Sequence, residues 1–354
     1  MKKKPYIKVS LLVLLFLLFV SWHLKIIFLY LIFLVLRPWI PNYTENKRLI
    51  NRSAFALFLL SFFVLYPDRS ADKDDYIQSV YFDKKSGEEV GQPLMAYATN
   101  IVGEGEVMTA VSLGAYLVPD RYLNKSAVSD VIRYCKSTWF VNNIFHVKYR
   151  NLARKGLPTH ATPYQLMQGS GFYRDVSHYF LHVPKDKNPE DCEVVVFCHG
   201  MAGNWQMYPT LFAEYTDAIV IAVETPNFSG YFTSKDMKYI VNHTIPHAFK
   251  RMGIPYKKPH IVGLSNGGSA INNAAAYYPN SFKSYTILSA GLKITPRTKK
   301  KVHVIYGSND RSGWINSKIP KSKYVLHRIK GADHSLLVAR TDTTFALINR
   351  IINE

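Results

Sequence analysis

A serine with a glycine two residues to either side, Gly263-Leu264-Ser265-Asn266-Gly267, stands between an apolar run at 260–264 and a stretch of small residues at 267–278. No other feature restricts the fold of this chain so strongly. A buried strand that turns sharply into a helix needs residues without side chains where the two backbones approach. The serine at the tip of such a turn is held above the sheet edge in a strained conformation, with its hydroxyl presented outward. The surrounding sequence supplies more strands and helices. Apolar runs at 179–183, 192–198, 217–223, 284–290, 301–307 and 324–329 read as further strands. Between and after them, 206–216, 235–252, 267–278 and 335–352 read as helices, with a kink expected at Pro246. Strands that alternate with helices predict a mostly parallel sheet with helices on both faces.

Three further segments fall at strand ends. His199-Gly200-Met201-Ala202-Gly203-Asn204 follows the strand at 192–198. Asn309-Asp310 follows the strand at 301–307, and Asp333-His334 follows the strand at 324–329. Acyl transfer needs a nucleophile, a base that takes its proton, an acid that orients the base, and N–H donors aimed at the developing oxyanion. Ser265, His334 and Asp310 are the candidates for the first three roles. The backbone N–H groups of Met201 and Asn266 are the candidates for the fourth. His199, Gly200, Gly263 and Gly267 are assigned to the supporting turns. The order Ser, Asp, His along the chain is one of the recurrent orders of this chemistry. Rivals exist: Glu224 ends a strand, Asp333 adjoins the histidine, and His260, His303 and His327 lie in or beside strands. They are read as structural.

With these motifs in this order, residues 179–354 resemble the α/β-hydrolases. The pairing of HGMAGN with GLSNGG is similar to that of feruloyl-esterase-like and polyhydroxybutyrate-depolymerase-like enzymes. The resemblance implies a serine esterase. A thioesterase or a serine peptidase uses the same triad, and a catalytically inactive scaffold or a lipid-surface binding module is the non-enzymatic alternative. No metal or organic cofactor is implied. Many α/β-hydrolases insert a cap after the strand that corresponds to 284–290, but only 291–300 intervene here, too few for a cap domain. The loop 225–232, with Trp205 and Trp314, is the candidate wall of the substrate site.

The N-terminal part follows a different pattern. Residues 9–36 are apolar apart from Lys25, and a second apolar run covers 53–66. A helical bilayer span takes about 20 apolar residues. Residues 1–66 are therefore read as a membrane anchor of two or three hydrophobic helices. The basic N-terminus and the loop 37–52, with Arg37, Lys47, Arg48 and Arg52, both prefer the cytoplasmic side, so the side that receives the rest of the chain stays open. Residues 67–178 are read as a linker and an N-terminal extension, with a helix at 126–138 capped by Ser126. Three cysteines, Cys135, Cys192 and Cys198, without a Cys-x-x-Cys pair, exclude a disulfide framework and argue against a zinc site. Lys and Arg number 44 against 25 Asp and Glu, a net charge of +19. Runs at Lys257-Lys258 and Arg297–Lys301 come without a nucleic-acid-binding motif, so they read as a solvated or lipid-facing surface and nucleic acid is not an expected partner.

Overall fold

The computed structural model describes residues 13, 22–40, 43–64, 76–92, 119, 147–148, 150–155, 157–158, 175–201, 203–226 and 229–354. The expected helix at 126–138, Cys135 and most of the first apolar run before residue 22 lie outside these residues.

Eight strands form one sheet: β1 (Gln78–Asp83), β2 (Val176–His182), β3 (Val194–Cys198), β4 (Ile219–Val223), β5 (His260–Leu264), β6 (Tyr285–Leu288), β7 (Val302–Gly307) and β8 (Tyr324–Ile329). Their spatial order is β1-β2-β4-β3-β5-β6-β7-β8. The first two junctions, β1 with β2 and β2 with β4, are antiparallel. From β4 to β8 the sheet is parallel. Every residue of β3, β4, β5 and β6 is buried, which is why these strands read as unbroken apolar runs. A fully buried Val or Ile stabilises the fold by about 1.5–3 kcal/mol.

Helices cover both faces. On one face α3 (Met207–Tyr215) and the last helix, α8 (Thr341–Asn353), set Leu211, Phe212, Phe345 and Ile348 against Val195, Phe197, Val220 and Ala222. The opposite face carries α4 (Ser234–Tyr239), α5 (Ile245–Met252) and α6 (Gly268–Tyr277), where Phe249, Ile271 and Ala275 meet Val194, Val196 and Ile221. The single helix expected over 235–252 is divided. A π-helical turn, Ile240–Thr244, joins α4 to α5, and Pro246 lies in the first turn of α5. Proline has no N–H to donate, and the wider turn absorbs the missing bond. The C-terminal helix is likewise two pieces, α7 (Leu336–Ala339) and α8.

The expectations are corrected in two places. The sheet begins before residue 179: β1 belongs to the segment read as an extension, and it pairs over its whole length with β2. The N-terminal helices also differ. Helix α1 (Trp22–Leu36) is apolar over the 15 residues described. Helix α2 (Tyr43–Val64) has 22 residues, but Glu45, Lys47, Arg48 and Arg52 lie in its first half. Most of the expected loop 37–52 is thus helix, and the second apolar run continues it. Tyr30 stacks on Phe58 at 4.7 Å, and Asn51 Oδ1 accepts from Arg37 Nη1 and Tyr43 O–H, both at 3.3 Å, which closes a helical hairpin. Among the described residues no helix is long and apolar enough to cross a membrane. The expected transmembrane helices are not supported there.

Candidate active site

The strand order places the site. Strand β3 lies between β4 and β5, so the chain leaves β3 toward one side and returns on the other. Crevices form at the carboxyl ends of strands at such a reversal. The loops after β3 and β5 meet there.

After β5 the chain enters a short 3₁₀ turn, Ser265–Gly267, before α6. Ser265 has φ +52°. A non-glycine residue in this region costs about 1–3 kcal/mol and persists where the surroundings over-determine it. The glycines explain how. A Cβ on Gly263 would overlap the Gly267 carbonyl, and a Cβ on Gly267 would overlap the Cys198 carbonyl at the end of β3. A Cβ on Gly200 would lie 3.2 Å from Ser265 Cβ, so the loop after β3 runs directly beside the serine.

His334 Nε2 lies 2.9 Å from Ser265 Oγ. On the other side of the ring, Nδ1 lies 3.2 and 3.3 Å from the two Asp310 oxygens. An ionised carboxylate only accepts, so Nδ1 carries the proton and Nε2 is free to accept from the serine hydroxyl. Two laced loops hold this geometry. Ser308 N donates to Ile329 O and Asn309 N to Ala332 O, each at 2.9 Å, which ties the loop after β7 to the loop after β8. Burial by itself would raise the Asp310 carboxyl. The hydrogen bond and charge of His334, joined by the hydroxyl and N–H of Ser312, outweigh it and bring the pKa down to about 2.

Ser312 is a site residue that the sequence reading missed. Its Oγ lies 2.6 Å from Asp310 Oδ1, 3.0 Å from His334 Nδ1 and 2.7 Å from Ser289 O. Its N–H donates to Asp310 Oδ1 at 2.9 Å. The Asp-x-Ser spacing was the available signal, since Asp side chains commonly accept from the backbone two residues on. Ser289, at the end of β6, is the other non-glycine residue with positive φ, +50°.

A third loop closes over the elbow. Asn266 Nδ2 donates to Ser229 O at 2.6 Å, Ser269 Oγ accepts from Phe232 N at 2.8 Å, and Asn273 Nδ2 donates to Phe232 O at 2.7 Å. A Cβ on Gly230 would overlap the Gly200 carbonyl. Met201, Tyr231 and Trp314 are 50%, 43% and 48% exposed, and each stands within two residues of a group in this assembly. Trp205, expected in the same wall, is instead buried in the core beside Met207. Ala202, Asn227 and Phe228 of these loops lie outside the described residues.

The rivals go elsewhere. Glu224 binds His178 Nδ1 at 3.0 Å. Asp333 accepts from Ser335 N at 2.9 Å. His260 joins Ser284 and Glu193, and His303 joins His327. His199 is fully buried with Nδ1 2.6 Å from Gly200 O, and burial lowers its pKa to about 4, so it is a neutral support for the turn. Lys257 donates to the carbonyls of Glu190 and Cys192, which gives one basic run a structural task. Cys192 and Cys198 are buried free thiols. Among the described residues no group of three or more His, Cys, Asp or Glu is placed to hold a metal ion.

No protein family matches this chain, and no curated protein does. Solved structures do. Poly(aspartic acid) hydrolase-1 from Sphingomonas sp. KT-1 is similar at 14% identity, over 49% of this chain and 93% of that one, with a TM-score of 0.39. A ferulic acid esterase from Anaeromyces mucronatus is similar at 15% identity over 49% and 85%, with a TM-score of 0.38. The 2-hydroxy-6-oxo-6-phenylhexa-2,4-dienoate hydrolase from Rhodococcus sp. strain RHA1 is similar at 15% identity over 51% and 95%, with a TM-score of 0.36.

Proposed function

We propose that this protein is a serine hydrolase that cleaves a carboxylic ester through an acyl-Ser265 intermediate. One observation carries the reading: a serine held at positive φ after β5 touches His334 Nε2, while Asp310 faces Nδ1 of the same ring. Ser265 Oγ attacks the ester carbonyl as its proton passes to His334 Nε2. The backbone N–H groups of Met201 and Asn266 hold the oxyanion. The tetrahedral species collapses, and the alcohol leaves with the proton from His334. Water then attacks the acyl-serine, His334 takes its proton, and return of that proton to Ser265 releases the acid. Asp310 stays ionised throughout and stabilises the imidazolium. The exposed side chains of Met201, Tyr231 and Trp314 favour an apolar or aromatic acyl group on an open rim.

Attachment to a membrane is the second part of the reading, and the α1–α2 hairpin is the segment it assigns to that role. Leu29, Leu57 and Leu60 are 51%, 62% and 60% exposed there, and Arg48 and Arg52 add positive charge. Carbonate extraction of membranes from expressing cells tests this part. Retention in the pellet supports integral attachment, and release into the wash removes it.

Fluorophosphonate labelling of the wild type and Ser265→Ala, followed by hydrolysis of p-nitrophenyl esters of rising chain length, tests the chemistry. Labelling of the wild type alone is expected. A folded wild type that takes no label overturns the assignment.

A further inference from the structure

A groove of about 640 Å³ runs between the edge strand β8 and helix α8, and neither Ser265, His334 nor Asp310 lines it. Its charged lining is Arg328, Lys330, Arg340 and Arg350, and no carboxylate lines it. The terminal helix and the residue before it account for half of the set. Thr343, Leu347 and Arg350 follow one another at four- and three-residue steps on one stripe of that helix, and Arg340, the non-helical residue just before it, reaches the same groove. Phe345, Ile348 and Ile351 on the other stripe are buried against the sheet. The remaining two cations come from β8 and the residue after it. The floor between them is apolar, with Ile329 and Leu347.

The cations are not neutralised among the described residues: none of the four takes part in an ion pair there. Arg328 Nη2 makes one long bond, 3.4 Å, to Ser308 O. The acid nearest in sequence on α8, Asp342, interacts with Lys148 and Tyr215 instead. Glu354 lines a neighbouring cavity with His303 and Lys301, and its charge also reaches His327 in the lining of this groove. Charges on an edge strand are commonly a guard against pairing with another sheet. That role asks for charges on the strand alone, whereas Arg350 comes from the helix and Arg340 from just before it, both into the same groove. Four like charges brought together without an ion-pair partner among the described residues repel one another, and a multivalent anion relieves the repulsion. Guanidinium groups match the paired oxygens of phosphate better than they match a monovalent ion. The volume exceeds that of inorganic phosphate and lies within the range of small-molecule sites.

We infer that the β8–α8 groove binds a phosphate-bearing anion, independently of the ester chemistry at Ser265. Phosphate groups come either free, on a soluble molecule, or on a lipid headgroup, and the test separates them. Pyrophosphate is titrated calorimetrically into the full chain and into the double variant Arg340→Gln/Arg350→Gln. Both proteins are also sedimented with vesicles of phosphatidylcholine alone and with 30 mol% phosphatidylglycerol.

Pyrophosphate binding that weakens with salt, and that falls at least tenfold in the variant, supports a soluble ligand. A gain in sedimentation on phosphatidylglycerol that the variant loses, without pyrophosphate binding, supports a headgroup. Equal behaviour of wild type and variant with both probes overturns the inference. Hydrolysis of p-nitrophenyl acetate at the wild-type rate establishes that the variant is folded. Should the double variant fail to fold, Arg350→Gln alone is read in the same way, with at least a threefold loss expected.

Discussion

Among the described residues three places join a serine, a histidine and an acid in that order; one is Ser284, His260 and Glu193, and the other two share the same serine-to-imidazole distance. At Ser265, His334 and Asp310 the serine-to-imidazole distance is 2.9 Å. At Ser79, His178 and Glu224 it is also 2.9 Å, and the imidazole-to-carboxylate distance is 3.0 Å. Distances do not separate them, but the backbone does. Ser265 sits at positive φ between a strand and a helix, beside the glycine loop after β3. Ser79 sits within β1, opposite Phe180 in an antiparallel ladder, where backbone N–H groups are committed to strand pairing. The His178 ring is wedged between Tyr81 and Phe180, at 4.5 and 4.6 Å. The first set lies where the loops after β3 and β5 meet. The second ties β1 and β2 to the end of β4. Three residues in hydrogen-bond order are therefore a strut or a reaction centre according to the turn that carries the serine.

Substitution of the serines is expected to separate the two most widely. Ser265→Ala should lower kcat for a p-nitrophenyl ester by at least about 10⁴-fold, as removal of a triad serine does elsewhere. Ser79→Ala should stay within about twofold. A comparable loss in Ser79→Ala, measured on a protein with unchanged thermal stability, would break the comparison.

The acids come next. Asp310→Asn should lower kcat by about 10³–10⁴-fold, because an amide no longer selects the Nδ1–H tautomer. Glu224→Gln should leave kcat within a few-fold and cost about 1–3 kcal/mol of stability, the range for an impaired buried hydrogen bond. Denaturant unfolding of the two variants checks the split.

Acid should act on the first centre in two stages. His199, held low at about 4 by burial, stays neutral in the folded protein while the unfolded chain takes a proton near 6.5. Stability therefore falls as pH drops from about 6.5 to 4, by up to about 3 kcal/mol. Asp310 has its pKa lowered from 3.8 to about 2, so its contribution is present above 3.8 and is lost as pH falls toward 2. Melting temperature against pH for the wild type and Asp310→Asn should diverge least below pH 3. A constant gap between the curves from pH 7 to 2 would remove the Asp310 contribution.

The smallest effect concerns Ser312. It touches both Asp310 and His334, so Ser312→Ala should lower kcat about three- to tenfold with KM unchanged, the equivalent of one hydrogen bond. Ser312→Thr should restore most of the rate. A change in KM alone would place Ser312 on the substrate side.

Much of the site was legible because its signals are local. The buried strands announce themselves as apolar runs, since helices cover both faces. The elbow announces itself by Gly263 and Gly267, because no side chain fits between β5, α6 and the end of β3. Strand β1 gave no such signal: six residues at the sheet edge carry neither a long apolar run nor a turn motif of their own. The helix over 43–64 was hidden for another reason. Its polar first half and apolar second half look like a loop followed by a span, and the packing of Tyr30 on Phe58 holds them in one hairpin.

The sequence by itself determined the order of the candidate nucleophile, acid and base, the strands that carry them and the glycines that let the elbow turn, because steric exclusion and burial act over a few neighbouring residues. The tertiary structure alone decided what the remaining acids and histidines meet. It turned Glu224 toward His178, brought the Ser312 hydroxyl to His334 Nδ1, and set Arg340 and Arg350 in one groove with Arg328 and Lys330. Those partners lie 10 to 46 residues apart in the chain, and loop closure between distant strand ends, which leaves no local periodicity, is what brings them together.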